Sequence, residues 1–501
     1  MFITLYCQDG YIMSSKNIIV LNVSALCLLV DFSGIGLLNF LLKFKLQNIK
    51  YKSRRGLFLK KYFVIFISLA IVLGAIVLPV QLNVKANVNP HINPIGEMGK
   101  AKNNGQAFKI KVLSNNVNFR EELKNSNLPV DFDILPSSQI NSLTNADALF
   151  LGEDLIRNAT NPNHEIYQNV KNILKGKKQV VFIGEKNSEK LSKAFDLPIH
   201  SVPTNEETYM QGEEDPNQER RKYMTVATWL QETEEGTTTI GEVVVPEDNK
   251  DHTKEILETI WIYKDGVDKV RNRTNVGTQI VKPNIAEAAE TLTASSNWTS
   301  RGDYIYYVYD NPYGKVNQMY RYFQLTPDGN STYDWFIYEW KTELVPGYVL
   351  AASDSNFSSA YRINNYYTRT YTNINSGQIM YNYGPDQSYS VSSSSASVNL
   401  GLTAGNIGAS VNAGFSYTWD IPDLYVENWS DSSVQKENHK FGYNSAGKYT
   451  SFVIPGVNTR VYQGQNAAAK YYRSIHWWDI KGMDIQGYYT EGYFYIDNFN
   501  S

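Results

Sequence analysis

Cysteine is nearly missing. The 501 residues hold two, Cys7 and Cys27. No disulfide framework or cysteine-based metal site is available, and a nucleophilic cysteine would have to lie in the first 27 residues. Histidine is scarce too. The six are His91, His164, His200, His252, His439 and His476, none in an H-x-x-x-H pair or an H-E-x-x-H motif. There is no G-x-S-x-G elbow and no glycine-rich nucleotide loop. The expectation is therefore no enzyme, with no catalytic residue, metal ligand or cofactor to assign. A net charge of −3 gives no general attraction to nucleic acid.

Charge is also missing locally. From Gln387 to Trp419, 33 residues pass without Lys, Arg, Asp or Glu, although Asp386 and Asp420 bracket them. Within that stretch the residues alternate. Ile407, Ala409, Val411, Ala413, Phe415, Tyr417 and Trp419 are apolar, and Gly408, Ser410, Asn412, Gly414, Ser416 and Thr418 lie between them. Upstream, Ala396, Val398, Leu400 and Leu402 face one way, and Ser395, Ser397, Asn399, Gly401 and Thr403 the other. A period of two puts the sets on opposite faces of a strand. Ala404-Gly405-Asn406 supplies a tight turn. The result is a long amphipathic β-hairpin. Tyr389 and Val391 are apolar at odd positions, so a bulge in Ser392–Ser395 is expected to switch the parity.

Two readings of the hairpin follow. As half of an ordinary sandwich it would pack its apolar face into a core. As a membrane stem, with arms of about 9–11 residues, it would turn that face to lipid and its polar face to a lumen. One hairpin cannot close a barrel, so several copies would have to combine. The missing charge favours the stem, because solvent-facing strands usually carry charges against edge pairing. The lipid-facing set is then Val398, Leu400, Leu402, Ile407, Ala409, Val411, Ala413, Phe415 and Tyr417. The lumen-facing set is Ser397, Asn399, Thr403, Ser410, Asn412 and Ser416.

The rest of the chain reads as multidomain. In residues 1–86, Arg54, Arg55, Lys60 and Lys61 precede an apolar run at 62–80, and Val84-Lys85-Ala86 follows. This is expected to be a signal peptide of a secreted protein, or else a membrane anchor with the bulk outside. Residues 1–59 are either a poor membrane segment or sequence ahead of the true start. Residues 87–106 resemble a linker. Short apolar strands alternating with helical segments over 107–200 predict a small α/β domain with a parallel sheet. Two of those strands end in Leu151-Gly152-Glu153 and Ile183-Gly184-Glu185. Carboxylates there could cluster at the binding end of such a sheet, or simply be solvated. Residues 201–285 are charged and mixed, with β character at Ile256–Tyr263. From 286 to 501 the chain predicts an all-β sandwich into which the hairpin 387–419 is inserted.

Tyr381-Asn382-Tyr383-Gly384 before the hairpin, and Pro422-Asp423-Leu424 and His439-Lys440-Phe441-Gly442-Tyr443-Asn444 after it, resemble the segments flanking the stem in the leukocidin/haemolysin group of β-barrel pore-forming toxins. The resemblance covers about residues 290–500 and does not extend to the α/β region. It implies a secreted cytolysin-like monomer whose partners are a lipid membrane and further copies of itself or a second component, and which inserts its stem after assembly. It leaves the receptor open. The family places aromatic residues on a membrane-facing rim, for which Trp477, Trp478, Tyr488 and Tyr489 are candidates in the aromatic-rich C-terminal part. The alternative is a non-lytic secreted or cell-surface protein whose tyrosine- and serine-rich sandwich binds carbohydrate or protein.

Overall fold

Rich in tyrosine and other strand-favouring residues, the described chain folds mostly as sheet with few helices. The computed structural model describes most of residues 98–498. Outside it lie 143–145, 185–187, 204–220, 233–235, 262–290, 403–410, some single positions and nearly all of 1–97. The expectations for the apolar run at 62–80, the two cysteines, the turn at 404–406 and Glu185 fall outside the described residues. In the unit Met1–Asn87 the described residues form one antiparallel pair, Met13–Ser14 with Asn17–Ile18. The rest concerns the unit Val88–Ser501.

The first strands are β1 (Lys109–Leu113), β2 (Asp131–Leu135), β3 (Ala148–Leu151) and β4 (Gln179–Ile183). β1 pairs with β2 and β3, and β3 with β4, all parallel. The helices are α1 (Val117–Asn125), α2 (Glu165–Lys175) and α3 (Ser188–Ala194). α2 shows why such a helix forms here. His164 caps it by accepting from the Ile166 amide at 3.2 Å, and Ile166, Val170 and Leu174 repeat at four-residue spacing along its buried face.

β5 (Ile199–Pro203), β6 (Tyr223–Glu232) and β7 (Thr238–Pro246) come next, then a helix, α4, over 253–261. The β character expected at Ile256–Tyr263 is thus corrected to helix. Ile256, Leu257 and Ile260 are buried, and their spacing of one and four gives a helical stripe that outweighs the β-branched composition.

The remaining strands are β8 (Thr291–Ala294), β9 (Trp298–Asp310), β10 (Gly314–Leu325), β11 (Tyr333–Pro346), β12 (Arg362–Tyr371) and β13 (Ile379–Gly384). The hairpin arms are β14 (Ser395–Asn399) and β15 (Phe415–Asp420). They are followed by β16 (Leu424–Asn428), β17 (Lys436–Tyr443), β18 (Ser451–Val453), β19 (Gly456–Tyr462), β20 (Ala467–Trp478) and β21 (Asp484–Ile496).

A 12-stranded sheet runs β13-β19-β11-β10-β9-β7-β6-β4-β3-β1-β2, with β18 also on β11. A six-stranded sheet runs β16-β17-β12-β20-β21-β5. The two pack face to face through aromatic rings. Tyr320 lies 4.5 Å from Phe494 and Tyr471 4.4 Å from Phe494, and the Tyr306 and Tyr471 hydroxyls are 3.2 Å apart.

The α/β strands do not form a sheet of their own. β7 lies parallel to β9, and β5 pairs antiparallel with β21, so the region before residue 250 joins both layers of the sandwich. The boundaries expected at 200 and 285 are not breaks in the sheets.

Candidate functional site: a hairpin docked on the sandwich

The arms β14 and β15 pair antiparallel, with Ala396 opposite Trp419 and Val398 opposite Tyr417. Amides of Leu400 and Leu402 continue the ladder to the carbonyls of Phe415 and Ala413, at 2.8 and 3.0 Å. Period-two alternation sets the faces. Ala396, Val398, Leu400, Ala413, Phe415, Tyr417 and Trp419 are all at most 2 % exposed. Ser397 and Asn399 are exposed, Ser416 and Thr418 half-buried, and the Ser397 and Thr418 hydroxyls are 3.0 Å apart. Leu402 and Val411 are half-buried and packed against the core. Thr403, Ile407, Ala409, Ser410 and Asn412 lie outside the described residues. In this conformation the described members of the proposed lipid-facing set are turned inward: Phe415 meets Trp298 edge-on at 5.8 Å and Phe323 at 5.1 Å.

The bulge expected in Ser392–Ser395 is replaced by a turn, closed by the Ser393 amide on the Ser390 carbonyl at 2.9 Å. Tyr389 ahead of it leaves the arm and exchanges two backbone hydrogen bonds with Val426, each 2.9 Å. Tyr389 therefore belongs to another contact and Val391 is exposed in the turn, so no parity switch within the strand is needed.

Three features hold the hairpin down. Glycines make room for it: a Cβ built on Gly384 would fall inside the Val398 side chain, and one on Gly456 would come within 2.8 Å of Leu400 Cδ1 and 3.0 Å of the Tyr417 hydroxyl. Asparagines clip its backbone: Asn458 Nδ2 donates to the Leu400 carbonyl at 2.5 Å and Asn382 Nδ2 to the Gly401 carbonyl at 3.3 Å. A third strand, β8, covers the outer edge of β15, with Thr293 opposite Ser416.

The lead-in to the hairpin is pinned by a buried pair. His439 Nε2 lies 2.7 Å from the Pro385 carbonyl, which can only accept, so this nitrogen carries a proton. Its Nδ1 lies 2.6 Å from Glu437 Oε1, which also accepts from the Thr368 hydroxyl at 2.6 Å. Burial pushes the Glu437 carboxyl up, but the His439 hydrogen bond and charge, with Arg473 and Thr368, outweigh it and hold the group below its ordinary range.

The rim candidates separate. Trp477 is fully buried, and its indole donates to Asp310 Oδ2 at 2.7 Å. Asp310 also accepts from the Tyr223 hydroxyl at 2.7 Å and the Tyr488 amide at 3.1 Å. Burial raises the Asp310 carboxyl despite these donors. Tyr488 is buried as well, so both are corrected from rim to core. The sequence carries the signal: Tyr471, Arg473, Ile475 and Trp477 alternate inward along one strand. Tyr489 is half-buried on the outer face. Trp478 is 39 % exposed at the strand end, beside Ile480 at 67 % and Met483 at 58 %, two residues not anticipated from sequence. Their turn satisfies itself. Asp479 Oδ1 accepts from the amides of Lys481 and Met483 at 2.8 and 2.9 Å, and Gly482, at φ +82°, donates to the Asp479 carbonyl at 3.0 Å.

At the end of β3, Asp154 is committed to Ser114 and the Asn115 amide, both at 2.7 Å, and Glu153 is exposed. Among the described residues no group of acids, histidines and cysteines is placed to hold a metal, and no helix is long and apolar enough to cross a membrane.

No protein-family model and no curated protein matches this sequence. Among solved structures, one titled "Pore forming protein" is similar over 42 % of this chain and 90 % of that chain, at 9 % identity and a TM-score of 0.24. At that score the likeness establishes neither the fold nor the activity of this chain.

Proposed function

We propose that this chain is a secreted, cytolysin-like pore-forming protein that binds a lipid membrane, oligomerises and inserts the hairpin 387–419. The observation that carries the reading is the hairpin itself. It has one apolar face and one small, uncharged polar face, and it is folded down by contacts from Gly384, Gly456, Asn382, Asn458 and β8. Undocked in water, its apolar face would cost about 25 cal/mol for each Å² exposed. In a bilayer the same face meets hydrocarbon, and pairing with neighbouring copies satisfies both edges. The self-satisfied turn bearing Trp478, Ile480 and Met483 supplies a point of first contact, since its amides need no water on entering an interface.

Complete burial of the hairpin's inner face also supports a second reading, a non-lytic secreted or cell-surface binding protein in which the hairpin is a permanent part of the core. Dye release from choline-lipid liposomes, with SDS-resistant oligomers scored in the same tubes, separates the two. Release with a ring-sized band is expected. Intact liposomes and a monomer, repeated on erythrocytes and with bacterial supernatant as a source of a second component, would overturn the pore reading.

A further inference from the structure

The outward face of the six-stranded sheet is a lattice of tyrosines and cations. On β12, Tyr366, Thr368 and Thr370 are buried, so Tyr367, Arg369 and Tyr371 point away from the core. Strand register aligns them in rows. Tyr371 sits beside Lys470, which sits beside Tyr493. Arg369 sits beside Tyr472, and Tyr472 beside Glu491. Lys440 sits beside Tyr367 in the third row, with Tyr489 at its far side.

The rings are held in place by their neighbours. Lys470 Nζ lies 5.1 Å from the Tyr472 ring and 5.5 Å from the Tyr493 ring. Tyr371 meets Tyr472 edge-on at 5.9 Å, and Tyr493 stacks beside Tyr495 at 6.2 Å. Across β17, β12, β20 and β21 these rows hold no aliphatic side chain. Cations outnumber acids by one: Lys436, Arg369, Lys470 and Lys440 stand against Glu427, Asp431 and Glu491, and Lys440 lies 3.7 Å from Glu427.

We propose that this face docks an anionic glycan. The C–H face of a sugar ring is apolar and electropositive and stacks on the electron-rich face of a phenol ring. Tyrosine hydroxyls and the lysine and arginine side chains meet sugar hydroxyls and carboxylate or sulfate groups. Tyr371 and Tyr493 are two strand spacings apart, about 10 Å, so a glycan chain running across the strands meets a ring, a cation and a ring in turn. A lipid surface fits less well, because across these four strands nothing aliphatic is there to enter hydrocarbon. The proposal does not depend on the pore reading and names a class of receptor under either function.

The test uses the full chain against immobilised heparin, polysialic acid and neutral dextran. Binding to one or both acidic glycans and not to dextran is expected. Tyr371→Ala with Tyr493→Ala, which leaves the charge unchanged, should weaken it at least about tenfold, and Lys470→Gln should weaken it as well. An unchanged thermal midpoint in each variant excludes misfolding. Binding to none of the acidic glycans overturns the proposal. So does binding that ignores the tyrosine substitutions and disappears above about 0.5 M salt, or equal binding of single-stranded DNA, since both report polyanion attraction alone. Dye release from choline-lipid liposomes should be the same for these variants as for the parent, so failure here and failure of the pore reading are distinguishable.

Discussion

At the scale of single residues, the choice of position decides whether an experiment reports insertion or folding. Phe415 is 1 % exposed, so an aspartate there would undo the docked hairpin before any membrane is met. Val411 is only half-buried. Val411→Asp is expected to yield a folded monomer that does not permeabilise liposomes. A basic group on the lipid face costs on the order of 2–4 kcal/mol at mid-bilayer, an acid less, and each copy in a barrel adds its own penalty. Dye release equal to the parent's would remove the hairpin from the role of stem. The Glu437–His439 pair makes a prediction of its own. Because the folded carboxyl is held below its ordinary value of 4.5, its contribution to stability is present above that pH and is lost as pH falls below it. Thermal melts between about pH 5 and pH 3 should therefore fall more steeply for the parent than for Glu437→Gln. Parallel curves would show that the pair adds nothing to holding Pro385.

At the scale of elements, the hairpin was legible because alternation is local. Each arm declares its two faces in consecutive residues, and the inward set from Ala396 to Trp419 matches that reading where it is described. What receives the hairpin was not legible. Gly384, Gly456, Asn382 and Asn458 come from other strands, and no local pattern links them to Val398 or Leu400. The α4 segment failed for the opposite reason: Ile256 and Ile260 are β-branched, and composition hid a helical spacing. Trp477 and Trp478 are adjacent rim candidates in the sequence, but neighbours on a strand point in opposite directions. Two element-scale substitutions follow. Gly384→Ala puts a methyl into space held by Val398, and the overpacking should cost about 1–3 kcal/mol. Faster limited proteolysis of the arms Ser395–Asn399 and Phe415–Asp420 than in the parent is the expected sign of a loosened hairpin, and equal cleavage would count against the glycine's role. The Ser295 amide bonds the Gly414 carbonyl at 2.8 Å, so by antiparallel alternation Thr293 also donates toward β15. Thr293→Pro removes that donor and should free the β15 edge. Size-exclusion chromatography is expected to show concentration-dependent self-association, and a monomer at all concentrations would mean that β8 does not guard the edge.

For the whole molecule, the two sheets are continuous where the sequence suggested separate domains. Strand and helix periods identify elements but do not say which edges meet, so the parallel pairing of β7 with β9 could not be read in advance. The sandwich surfaces then divide the work. The end carrying Trp478, Ile480 and Met483 offers apolar contact, the outward tyrosine face offers polar contact, and the hairpin keeps its apolar face against the core. The place of β5 also sets an order in time. Its described strand partner is β21, whose residues are made roughly three hundred positions later. During synthesis the early parallel strands can form, but β5 lacks its described partner until Asp484–Ile496 arrives. Contacts so distant in sequence make folding slow and late. A chain cut short before Asp484 would retain β5 as an open edge, free to pair with another molecule.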